Sequence, residues 1–157
     1  MKQIQITIPI EECKLPELAQ EDRELVEAAM KATDGSYAPY SHFHVGAAIR
    51  MEDGTVVTGA NQENAAFSSG TCGERSACFA AGAHFPGMAM RAIAIAARTD
   101  NGLFQAKPIS PCGACRQALL EYEHKQGSPM RVLLYGTETC YILPSVASLL
   151  PVCFTDF

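Results

Sequence analysis

Two short segments hold residue types that can do chemistry together. Thr71-Cys72-Gly73-Glu74-Arg75 sets a carboxylate two positions after a thiol, and Pro111-Cys112-Gly113-Ala114-Cys115-Arg116-Gln117 sets two thiols three positions apart. At the start of a helix, a spacing of three puts both sulfurs on one face, where they can reach one metal ion. A helix N-terminus also presents unpaired N–H groups and the positive end of the backbone dipole, which favour thiolate over thiol. Cys72, read as the opening residue of a helix of its own, gains the same help. Three thiolates on Cys72, Cys112 and Cys115 would leave one tetrahedral corner for water, the pattern of a catalytic zinc site rather than a closed structural one. Glu74 is near enough to accept and return that water's proton. Arg75 can offset the excess negative charge by hydrogen-bonding to the sulfurs. A lone CxxC serves redox chemistry as readily as metal binding, so the second segment alone leaves both open.

The elements that must position these residues follow from periodicity. From Pro16 to Thr33 the apolar residues Leu18, Leu25, Val26, Ala29 and Met30 recur at helical spacing, with Gly35 as the stop. Tyr37-Ala38-Pro39-Tyr40-Ser41 reads as an ordered loop. Val45 to Met51 and Thr55 to Val57 flank Asp53-Gly54, a hairpin signal. Asn61 to Thr71 is a polar loop, Cys72 to Ala83 a helix and Arg91 to Ala97 a buried strand. Pro111 stands just ahead of a helix over Cys112 to Lys125. Strands over Arg131 to Tyr135 and Cys140 to Leu143 and a short helix over Ser145 to Leu150 complete the chain. Strands alternating with helices imply an α/β fold, a three-layer sandwich with a mixed β-sheet of about five strands flanked by helices. Residues 1–157 are expected to form a single domain. Residues 1–15 are its N-terminal extension, where Ile4, Ile6, Ile8 and Ile10 alternate as an added strand would.

Composition narrows the function classes. Of 157 residues, 48% are hydrophobic and 18% charged, enough apolar material for a packed core. The longest apolar run, Ala92 to Ala97, falls far short of the roughly 20 residues of a membrane span. The N-terminus lacks the continuous apolar stretch of an export signal. A net charge of −5, a pI near 5.3 and scattered basic residues argue against a nucleic-acid polymer as partner. Seven cysteines without an export signal point to the reducing cytoplasm, where clustered thiols are metal ligands or catalysts. Cys13, Cys78, Cys140 and Cys153 match no ligand position and read as buried small apolar residues. His42, His44, His84 and His124 show no ligand spacing and receive no role.

Taken together, the two cysteine segments match the zinc deaminase signature in its all-cysteine form. The chain resembles the cytidine deaminase family, in its small three-cysteine type, over Tyr37 to Phe154. Ala38-Pro39-Tyr40-Ser41-His42-Phe43 is similar to that family's loop beside the active site, and Gly59-Ala60-Asn61-Gln62-Glu63-Asn64-Ala65 to its nucleoside-binding segment. Leu149-Leu150-Pro151 with Phe154 is similar to its C-terminal end. The resemblance implies one Zn²⁺ per chain on Cys72, Cys112 and Cys115, with Glu74 as proton shuttle. It further implies Asn61 and Glu63 on the ribose hydroxyls, Phe43 against the base, and Phe67 and Gly73 in the substrate site, the Gly73 N–H meeting the pyrimidine O2. Phe154 would reach into a neighbouring subunit's site in a homotetramer. The implied reaction is hydrolytic deamination of cytidine and 2′-deoxycytidine to the uridines with release of ammonia, a step of pyrimidine salvage. Gly73 stands where the family usually has Ala and is expected to loosen the helix start. Ser68 and His44 replace common prolines, and Cys78 a larger aliphatic residue. These departures keep a related aminopyrimidine nucleoside, such as a nucleoside antibiotic, as an alternative substrate. Two further rivals are a zinc that only staples the fold and a thiol redox protein using Cys112 and Cys115.

Overall fold

The computed structural model describes residues 1–155; residues 156 and 157, the end of the expected domain, lie outside the described residues. Its elements in chain order are β1 (Glu11–Cys13), α1 (Gln20–Ala32), β2 (Phe43–Met51), β3 (Val56–Ala60), α2 (Gly73–His84), β4 (Met90–Thr99), α3 (Gly113–Gln126), β5 (Arg131–Tyr135) and β6 (Cys140–Leu143). The strands form one mixed sheet in the order β1-β6-β5-β4-β2-β3. The β4–β5 pair is parallel, joined through α3, and every other neighbouring pair is antiparallel.

Side-chain size, more than polarity, separates the two faces of this sheet. Along β4, Ile93 and Ile95 join Ala47, Ile49, Met51, Val132 and Leu134 on the face covered by Ala77, Cys78 and Ala81 of α2 and Leu119 and Leu120 of α3. The intervening Ala92, Ala94 and Ala96, with Ala48 of β2, face Leu25, Val26 and Ala29 of α1. The large face holds two helices and the small face holds one, which gives the three layers expected from the sequence. Asp22 in the first turn of α1 anchors that helix. Its buried carboxylate accepts from Arg50 of β2 at 3.1 Å and from Arg131 of β5 at 2.8 Å.

Some expectations need correction. The sheet has six strands, the sixth being β1 on the β6 edge. The alternating isoleucines lie before β1 and outside any strand: Ile4, Ile6 and Ile10 are exposed, and Ile8 is half-buried against the core. The physical reason is a short template, since β6 has four residues and pairs with three. The helix expected from Pro16 to Thr33 is interrupted. A single 3₁₀ turn at Leu15–Glu17 ends in extended Leu18, and α1 begins afresh at Gln20. The terminal helix is one 3₁₀ turn, Ala147–Leu149, confined between Pro144 and Pro151. Among the four cysteines read as buried, Cys78 and Cys140 are buried, whereas Cys13 and Cys153 are half-buried. No helix among the described residues is long and apolar enough to cross a membrane.

The close seating of α1 has a testable cost. A Cβ on Gly46 would stand 2.2 Å from the Ala29 carbonyl oxygen and 2.6 Å from the Thr33 nitrogen. Alanine in a strand interior is otherwise favoured over glycine by roughly 0.5–1 kcal/mol, so the sign of the effect is diagnostic. Gly46→Ala should lose about 1–3 kcal/mol in urea unfolding with an unchanged slope. A neutral or stabilising result would mean that α1 sits higher on the sheet.

Candidate active site

Two helix N-termini meet over one end of the sheet, and each begins with a cysteine. Cys72 and Cys112 are the N-cap residues of α2 and α3, both in extended backbone conformation with no side-chain capping bond. Cys115 follows in the first turn of α3 and is fully buried. The Cys72 and Cys112 sulfurs are 4.0 Å apart and those of Cys112 and Cys115 3.4 Å apart. All three lie within 4.8 Å of one another. A tetrahedral ion with sulfur at about 2.3 Å needs sulfurs roughly 3.8 Å apart, so the set fits zinc without rearrangement of the helices. Their thiols differ in character. Hydrogen bonding from Cys115, against the cost of burial and with help from Arg75, lowers the Cys72 thiol to about 5. Cys115, hydrogen-bonded to Cys72 and desolvated, is pushed up.

The chain reaches Cys72 by a controlled return. Gln62 and Thr71 form a two-residue antiparallel bridge, each accepting the other's N–H at 2.9 Å, which folds residues 62–71 back on themselves. The helix then lies almost in contact with the sheet. A Cβ on Gly59 would come within 2.3 Å of the Ala77 nitrogen, and one on Gly73 within 2.7 Å of the Val45 carbonyl oxygen. Gly73 is therefore a close-packing residue, not a loosened helix start. Glu74, one residue on, is 5% exposed and carries a carboxylate oxygen, Oε2, with no hydrogen-bond partner. Leaving such an atom unsatisfied costs about 1–3 kcal/mol or more. Burial raises the Glu74 carboxyl above its ordinary range. The charge of the Cys72 and Cys115 sulfurs, acting against burial, raises the neighbouring Arg75 guanidinium above its ordinary value, and its buried Nε, like Glu74 Oε2, has no hydrogen-bond partner.

A cavity of about 470 Å³ opens beside Cys72 and Arg75, within the range of small-molecule sites. Asn61, Glu63 and Phe67 line it, joined by Tyr40 and Ser41. The Asn61 side chain bridges the start of β2, accepting from Val45 N–H at 2.8 Å and donating to the Phe43 carbonyl at 2.9 Å. One amide hydrogen and one lone pair remain for a ligand. Hydrogen bonds from Ser41 and Tyr40 hold the Glu63 carboxyl below its ordinary range. Phe67 is exposed at the rim, edge-to-face with Tyr40 at 6.1 Å between ring centres. Phe43 begins β2 and Phe154 lies in the exposed C-terminal segment, held by Gln117 Nε2 on its carbonyl at 3.2 Å. Neither belongs to the wall of this cavity.

Sequence reasoning assigned no role to Arg116. Its Nε donates to Pro111 O at 2.8 Å, Nη1 to Leu149 O at 2.8 Å and Nη2 to Ser110 Oγ at 2.9 Å. The guanidinium thus fixes the two residues that precede Cys112. The available signal was an arginine directly after a ligand cysteine, but its partners are set by tertiary structure.

Activating water at a zinc ion with one open corner is hydrolytic chemistry, and this chain is a zinc-dependent hydrolase. The family follows from three comparisons. A family model for the cytidine and deoxycytidylate deaminase zinc-binding region matches residues 19–127. A cytidine deaminase of Sporosarcina psychrophila is 41% identical over 131 residues, covering 83% of this chain and 89% of that protein. One from Halalkalibacterium halodurans is 45% identical over 97 residues, covering 62% and 68%. The solved cytidine deaminase of Burkholderia pseudomallei superposes with a TM-score of 0.70 at 38% identity, over 83% of this chain and 97% of that one. The chain belongs to the cytidine and deoxycytidylate deaminase family.

Gly73 offers a direct check on the seating of α2. Although the resemblance puts alanine here in relatives, Gly73→Ala should destabilise this protein by about 1–3 kcal/mol and raise the zinc dissociation rate measured with a chromophoric chelator. Wild-type stability and zinc retention would show that the helix can back away from Val45.

Proposed function

We propose that this protein hydrolytically deaminates cytidine and 2′-deoxycytidine, releasing ammonia. The observation that carries the reading is the buried Glu74 Oε2, left without a partner beside three convergent thiols and a cavity of small-molecule size. When bound to Cys72, Cys112 and Cys115, zinc supplies Lewis-acid activation of water. Glu74 then moves the protons. Its carboxylate accepts one from the attacking water, delivers it to ring N3, and assists departure of the exocyclic amino group as ammonia. Its raised pKa suits a group that must both take and give a proton. Arg75 holds the sulfurs' charge in balance. The Gly73 N–H, at the positive end of α2, is assigned to the pyrimidine O2. The spare donor and acceptor of Asn61 and the Glu63 carboxylate are assigned to the ribose hydroxyls, which an amide and a carboxylate can satisfy between them. Phe67 closes the rim over the nucleoside.

The exposed Phe154 fits a role outside its own chain, reaching a neighbour's site within a homotetramer. The acidic chain without a membrane-crossing helix among its described residues is assigned to the cytoplasm, acting on free nucleosides in pyrimidine salvage.

Following ultraviolet absorbance of cytidine with zinc-loaded protein tests the reaction. Glu74→Gln should retain one zinc per chain and lose about 10²–10⁴-fold in kcat, the usual worth of a positioned acid–base group. Retained turnover in that variant would remove Glu74 from the chemistry. Zinc-loaded wild type that leaves cytidine intact would move the reading to another aminated pyrimidine nucleoside. For the subunit arrangement, Phe154→Ala should raise KM while zinc content stays at one per chain. Wild-type kinetics in that variant would confine Phe154 to its own surface.

A further inference from the structure

Two of the four histidines without ligand spacing, His42 and His44, meet at one carboxylate beside the cavity. Asp100, in the turn that follows β4, takes His42 Nδ1 on one oxygen at 2.8 Å and His44 Nε2 on the other at 2.6 Å. His44 Nδ1 lies 2.9 Å from Ser36 Oγ. With Nε2 on Asp100 and Nδ1 on the Ser36 hydroxyl, the His44 ring is held at both nitrogens. His42 is the one non-glycine residue among those described with a left-handed backbone, at φ 56°. Such a conformation persists where its surroundings hold it, and the bond to Asp100 is one such restraint.

The segment held in this way carries one wall of the cavity. Its first end is fixed by backbone bonds, Tyr37 N–H to Asn61 O at 2.9 Å and Glu63 N–H to Tyr37 O at 2.8 Å. Its second end hands two N–H groups, Tyr40 at 2.9 Å and Ser41 at 3.2 Å, to Glu63 Oε2. Phe43 N–H then donates to Ser41 Oγ at 3.2 Å. The direction of the Glu63 carboxylate therefore depends on the placement of residues 40 and 41, directly ahead of the histidine that Asp100 grips.

We infer that Asp100 is a positioning residue for nucleoside binding: by clamping His42 and His44 it holds residues 37–42 so that the Tyr40 and Ser41 N–H groups aim Glu63 into the cavity. The inference rests on the reading of Glu63 as a ribose-binding group. It also gives a purpose to His44, which stands where the resemblance expects proline: proline has no side chain that could take Asp100.

The test uses zinc-loaded protein with Asp100→Asn and Asp100→Glu. Asp100 is more than half exposed, so neither change disturbs the core. In Asp100→Asn, KM for cytidine and the Kd of uridine, measured calorimetrically, should both rise about tenfold, with kcat within about twofold and zinc content unchanged, as expected for weakened charge-assisted hydrogen bonds. Asp100→Glu should recover most of the loss. A purely structural clamp would lower Tm and leave KM and Kd alone, and that outcome overturns the inference. A fall in kcat at constant KM overturns it as well. If wild type turns over no cytidine, the deaminase reading fails separately, and the uridine Kd ratio decides the role of Asp100. Failure of both proteins to bind uridine overturns the two together.

Discussion

Three sulfurs within 4.8 Å of one another repel once they ionise, and much of this fold can be understood as the means of keeping them together. Two of them cap helices, where the backbone dipole and unpaired N–H groups favour negative charge. Arg75 adds a full positive charge against two of the three. Neither device works unless α2 and α3 converge on the same side of the sheet with their N-termini adjacent. That convergence comes from glycine contacts under α2 and from the Arg116 brace ahead of α3. The electrostatics of the site is thus a consequence of how closely backbone packs on backbone.

The same closeness explains the unpartnered oxygen of Glu74. A helix pressed onto β2 and β3 excludes water from its first turn, so the carboxylate is desolvated and left with unused hydrogen-bonding capacity. Desolvation raises its proton affinity, and the free lone pairs point to a place for a reacting group. Burial that would be a defect in an inert protein is what a carboxylate proposed to both accept and donate protons requires.

Much of this was legible in the sequence because it depends on local chemistry. The cysteine spacings, the proline before Cys112 and the Asp53-Gly54 turn are short-range signals, and α2, α3 and the central strands fell where they indicated. The alternating isoleucines misled because alternation reports strand propensity, not the presence of a partner edge. Gly73 looked like a weakness because the opposing Val45 carbonyl is remote in sequence. Arg116, Tyr40 and the Asp100 cluster were silent for the same reason: their partners lie on other elements, and nothing in residue type announces them. The three cysteines that the fold brings together, and Glu74 beside them, could be picked out from spacing as candidates, whereas the contacts along the cavity wall required coordinates.

Cys72 and Cys112 are separated by 40 positions, with the whole of β4 between them. The ligand set therefore does not exist until two helices launched from different strands have docked on a common sheet, a long-range event that accrues loop-closure entropy before any contact repays it. Complete three-sulfur coordination therefore waits on the docking of both helices. The sheet can form around its alanine and isoleucine faces first, and the ion then acts as a late fastener between two separately built halves of the large-residue face.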